Sequence, residues 1–69
     1  MAKLPKTILS DIRTNKYPSK EFTYMDFKKA FARNSYGPKA TAKWWDYFCA
    51  NEIIVEVDLH NDVFTCTLW

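Results

Sequence analysis

An α+β domain, with three helices ahead of a C-terminal two-stranded antiparallel β-hairpin, is the fold predicted by this 69-residue chain. Three observations lead there. Apolar residues recur at helical spacing through the first two thirds of the chain, the period then changes to two, and there is a single glycine. One glycine argues against a loop-rich all-β design, because glycine is the residue that reaches positive φ without steric strain. The length predicts one domain spanning residues 1–69, since a domain ordinarily takes roughly 100 to 200 residues. A chain this short buries only about 60% of the surface its unfolded form exposes. Its three Trp, four Tyr and five Phe compensate, since each aromatic ring buries on the order of 150 to 250 Å².

The elements follow in order. Pro5 suits the first turn of a helix, where its missing N–H is not needed, and Ile8, Leu9 and Ile12 then share one face of a helix that ends near Lys16. Residues 15–20, NKYPSK, read as a connection, and Glu21-Phe22 as a very short extended segment. Thr23 and Asp26 have the spacing of a capping box, so a second helix runs from Tyr24 to about Arg33 with Phe27, Ala30 and Phe31 as its apolar stripe. Asn34-Ser35-Tyr36-Gly37 then turns the chain, and Pro38 starts a third helix. There Thr41, Trp45 and Phe48 form the packing face, Trp44 sits at its edge, and Lys39, Ala40, Ala42, Lys43 and Asp46 point elsewhere. Asn51 is the expected left-handed residue at the helix end. Beyond it Val55, Val57 and Leu59 alternate with Glu56 and Asp58, and VFTCTLW is rich in β-branched and aromatic residues, which predicts two strands joined at His60-Asn61-Asp62.

Charge is divided along the chain. All ten Lys and Arg lie at or before Lys43, opposed there only by Asp11, Glu21 and Asp26; residues 44–69 carry Asp46, Glu52, Glu56, Asp58 and Asp62 and no cation. A basic segment of this kind suits a polyanionic partner, and the competing reading is a solvated face. No apolar run is long enough to span a membrane and the N-terminal stretch lacks the long apolar segment of a secretory signal, so a cytoplasmic protein without a membrane partner is expected. Cys49 and Cys66 are too few for a disulfide-stapled domain and read as small buried hydrophobes. Asp58, His60 and Asp62 could be viewed as metal donors, but turn chemistry explains them better, and no metal or other cofactor is expected. No nucleophile elbow, phosphate-binding glycine loop or H-E-x-x-H is present, so neither an enzyme nor a small-molecule substrate is expected.

The order of elements resembles the winged-helix variant of the helix-turn-helix fold. FTYMDFKKAFA (22–32) is similar to the second helix of that family, SYGPK (35–39) to its turn, and ATAKWWDYFCANEII (40–54) to its recognition helix and the start of its wing. Thr41, Lys43, Trp45, Phe48 and the pair Ile53-Ile54 stand where the family has a small or hydroxyl residue, a basic residue, two hydrophobics and the apolar pair entering the strand. Two departures are visible: Glu52 stands where a glycine is common, and the hairpin tip has no Lys or Arg. The resemblance implies sequence-specific binding of double-stranded DNA by a small transcriptional regulator or a plasmid or viral accessory factor. In that reading Ser35, Tyr36, Lys39, Ala40, Ala42 and Lys43 reach bases or nearby phosphates, and Lys28, Lys29 and Arg33 hold the backbone. A homodimer would supply symmetric half-sites, although no dimer helix is evident. Trp44 and Trp45 could stack on unpaired bases, but rings at this spacing are more often core. The other class is a protein-interaction winged helix that docks through its acidic hairpin and C-terminal aromatics.

Overall fold

The computed structural model describes residues 3–69, which form helices α1 (Pro5–Lys16), α2 (Tyr24–Arg33) and α3 (Pro38–Ala50) and strands β1 (Glu21–Thr23), β2 (Ile54–Asp58) and β3 (Val63–Cys66). The architecture is α+β. The expected hairpin is one part of a larger sheet: β3 is central, paired antiparallel with β2 on one edge and with β1 on the other. Phe22 opposite Phe64 lies at the centre of the β1 pairing. The sequence carries β1 only as a short extended segment, because three residues are too few to display a period.

Each helix begins as its residues dictate. Pro5 and Pro38 stand at the starts of α1 and α3, where neither start has a side-chain cap. At α2 the capping box is complete, the Thr23 hydroxyl accepting from the Asp26 N–H at 3.2 Å and the Asp26 carboxylate accepting from the Thr23 N–H at 2.9 Å.

The ends of α2 and α3 use one device twice, on the related segments Phe31-Ala32-Arg33-Asn34-Ser35-Tyr36 and Phe48-Cys49-Ala50-Asn51-Glu52-Ile53. The asparagine amide donates four residues back, from Asn34 to the Ala30 carbonyl and from Asn51 to the Tyr47 carbonyl, each at 2.8 Å. The next residue is left-handed, Ser35 at φ 68° and Glu52 at φ 57°. The one after it closes the helix, Tyr36 N–H donating to Phe31 O at 3.1 Å and Ile53 N–H to Phe48 O at 2.9 Å. This is the Schellman arrangement, ordinarily built on glycine. The left-handed residue at the end of α3 is thus Glu52 and not Asn51, which stays at φ −92° as the cap itself.

The core lies between the helices and one face of the sheet. Ile8, Leu9 and Ile12 from α1, Phe27, Ala30 and Phe31 from α2, Phe48 from α3, and Phe22, Ile54 and Cys66 from the strands are all buried. The hairpin departs from simple alternation. Glu56 pairs with Phe64 and Asp58 with Val63, which leaves Val57 as an extra residue in a bulge. The bulge shifts the phase of the strand, and Val57 and Leu59 are 48% and 66% exposed where alternation would have placed them on one inner face.

Candidate nucleic-acid interface

The position of α3 is set by its rings. Trp45 meets Tyr24, Phe27 and Phe64 edge-on at centroid distances of 4.7, 4.9 and 4.8 Å, which joins α3 to α2 and to the sheet. Buried Thr41 satisfies its hydroxyl by donating to the Gly37 carbonyl at 2.9 Å. With Thr41 and Phe48 inward, the helical period turns Lys39, Ala42, Lys43 and Asp46 outward, and all four are exposed. Lys39 and Lys43 stand one turn apart, with Ala42 beside them as a small neighbour. Ala40 is half-buried on the shoulder of the helix.

The turn residues Ser35 and Tyr36 are occupied by the fold. Ser35 is the exposed left-handed residue of the α2 exit, its N–H donating to the Ala32 carbonyl at 3.1 Å. Tyr36 packs its ring 5.0 Å from that of Phe31 and donates its hydroxyl to the Lys3 carbonyl at 2.7 Å, tying the N-terminal segment to the turn.

The three cations of α2 do not share a face. Lys28 lies 5.5 Å above the Tyr24 ring and borders a groove with Ala32, Tyr36, Pro38 and Thr41, beside the start of α3. Lys29 is exposed. Arg33 lines a cleft toward α1 with Lys3, Asp11, Thr14 and Asn15, and its Nε donates to the Lys29 carbonyl at 3.4 Å. Lys28 therefore lies beside the start of α3, while Arg33 lines the cleft toward α1.

Two ion pairs occur among the described residues, Lys3 with Asp11 at 2.6 Å and Lys16 with Asp26 at 3.0 Å. No cation on α3, and none of Lys28, Lys29 and Arg33, has a carboxylate within ion-pair distance. The five acids beyond residue 44 are likewise without an ionic partner among the described residues.

The remaining polar groups are engaged in local structure. Asp58 accepts from the His60 N–H at 3.1 Å and from the Asn61 amide at 2.7 Å, which fixes the hairpin loop, and no group of three His, Cys, Asp or Glu among the described residues is placed to hold a metal. Cys49 and Cys66 are free thiols. Burial pushes both thiols up from their ordinary value, with the nearby Asp46 charge adding to the effect at Cys49. Trp44 packs against Tyr47 and Phe48, and Trp69 against Phe22 at 5.2 Å. No helix among the described residues is long and apolar enough to cross a membrane.

Sequence reasoning placed Asp46 off the packing face without including it in the site, yet the same period that exposes Lys43 exposes Asp46 three residues on. Comparisons with protein-family models, with curated proteins and with solved structures give no match to this chain.

Proposed function

We propose that the protein is a winged-helix domain that binds double-stranded DNA sequence-specifically, as a transcriptional regulator or an accessory DNA-binding factor. The observation that carries this reading is the outward face of α3: Lys39 and Lys43 are exposed and without an acidic partner, on a helix whose opposite side is locked by Thr41, Trp45 and Phe48. Laid in a major groove, that face would set the two ammonium groups against phosphates or purine edges, with Ala42 able to approach a thymine methyl. Lys28, beside the start of α3, is the backbone contact that the groove geometry favours, with Lys29 as a more distant one. The order of elements, with β1 between α1 and α2 and pairing with the C-terminal hairpin, supports the same reading.

A second reading, a protein-docking module, is favoured by a different observation. The β2–β3 hairpin exposes Val57 and Leu59 among Glu56, Asp58 and Asp62.

Fluorescence anisotropy with random and selected duplexes over a salt series separates the two. DNA binding through α3 predicts a preferred sequence, affinity that falls with salt, and a salt slope reduced by about one in each of Lys39→Glu and Lys43→Glu. Binding that neither reversal weakens would overturn the proposed α3 interface, and absence of binding at low salt would overturn the DNA reading itself.

A further inference from the structure

Two apolar surface features, one bordered by the hairpin acids and the other beside Lys6 and the start of α1, point to a contact between copies of this chain. One feature projects. The bulge and the Asp58-held loop leave Val57 and Leu59 standing out from the β2–β3 hairpin, bordered by acids that pair with no cation among the described residues. The other feature is a recess of about 250 Å³ between the start of α1 and the middle of α3, lined by Leu4, Pro5, Lys6, Trp44, Tyr47 and Phe48. Leu4 and Tyr47 on its rim are 73% and 50% exposed. Lys6 makes no ion pair, and the first turn of α1 has neither a side-chain cap nor an acidic residue. That helix start therefore presents a positive end that no described side chain caps and no acid in its first turn offsets.

We propose that the acidic, leucine-tipped hairpin of one copy docks in the recess of the next, with Leu59 filling it and the hairpin acids facing Lys6 and the start of α1. The two surfaces are complementary in shape class and in charge, apolar knob to apolar recess and acid to base. They share no residue, so the contact is head-to-tail and an associated pair keeps one free tip and one free recess. A loop in a recess covers less area than the roughly 1,200 to 2,000 Å² of a stable complex, so the association is weak and rises with concentration. It needs no DNA. On a duplex that holds copies side by side the same contact makes binding cooperative, and this consequence alone rests on the DNA reading.

The test uses the full chain without nucleic acid, by sedimentation velocity from micromolar into the millimolar range, at low and high salt. Wild type is expected to show a sedimentation coefficient that climbs with concentration and falls back with salt. Leu59→Asp removes the knob, while Tyr47→Glu and, independently, Lys6→Glu spoil the recess; each variant alone is expected to stay monomeric, with circular dichroism checking that it is folded. An equimolar mixture of Leu59→Asp and Lys6→Glu still contains one intact tip and one intact recess, so it is expected to form a dimer and nothing larger. Three results would overturn the proposal: wild type monomeric throughout, association that survives Leu59→Asp, or a mixture that stays monomeric although wild type associates. None of these bears on whether α3 binds DNA, which the anisotropy series decides separately.

Discussion

Asp26 joins the start of α2 to the end of α1, because its carboxylate accepts from the Thr23 N–H and hydroxyl and meets Lys16 at 3.0 Å. Burial works against its charge, but the Thr23 and Lys16 contacts outweigh that, and the carboxyl is held below its ordinary value. A carboxylate depressed in this way stabilises the fold above its unfolded pKa and ceases to do so as pH falls through the folded one. Asp26→Ala is therefore expected to lose about 1 kcal/mol at neutral pH, a drop of roughly 4 to 8 °C in melting temperature. The gap from wild type should narrow below about pH 4, which thermal unfolding followed by circular dichroism across pH will check. Glu52 works in the opposite direction. At φ 57° its side chain stands in the region that favours glycine. Glu52→Gly is expected to raise stability by roughly 0.5 to 1 kcal/mol, read as a higher urea midpoint. A lower midpoint would mean that the glutamate side chain, and not the backbone, holds the helix exit.

Among the elements, α3 depends most on a single side chain. Trp45 touches rings from α2 and β3 at once, so its removal opens a cavity at the junction of three elements. Trp45→Ala is expected to cost about 3 to 5 kcal/mol, a large part of the 5 to 15 kcal/mol typical of a whole domain. Trp44→Ala, on the rim between α1 and α3, should cost less; equilibrium urea unfolding compares the two. The helices were legible because their information is local. Ile8, Leu9 and Ile12, then Phe27, Ala30 and Phe31, repeat at the helical period, and the same period exposes Lys39 and Lys43. It also separates Lys28 from Arg33: five residues turn the helix by about 500°, or 140° net, so the pair could not share a surface. The hairpin was less legible. Val55, Val57 and Leu59 alternate as an inner face would, but the bulge at Val57 is set by the pairing with Phe64 and Val63, a non-local fact. The Tyr36 hydroxyl reaches the Lys3 carbonyl across 33 residues, and no local pattern encodes that contact.

Across the whole molecule the charge division has a physical consequence for the proposed DNA binding. The basic helices carry the unpaired lysines, while the β2–β3 hairpin adds Glu56, Asp58 and Asp62 without a compensating cation. These acids repel a duplex approaching α3 over the Debye length, about 10 Å at 0.1 M salt. Glu56→Gln with Asp62→Asn raises the net charge from +2 to +4, and it spares Asp58, which holds the loop. Asn also suits the left-handed conformation of Asp62, at φ 53°. The double variant is expected to bind all duplexes more tightly at low salt without changing their rank order, because removed repulsion is blind to base sequence. The gain should shrink as salt rises, and the same variant should associate with itself more weakly. Anisotropy and sedimentation on one preparation test both effects. Tighter binding confined to one duplex would instead place the hairpin in direct contact with bases, and unchanged binding would put the hairpin beyond electrostatic reach of the DNA.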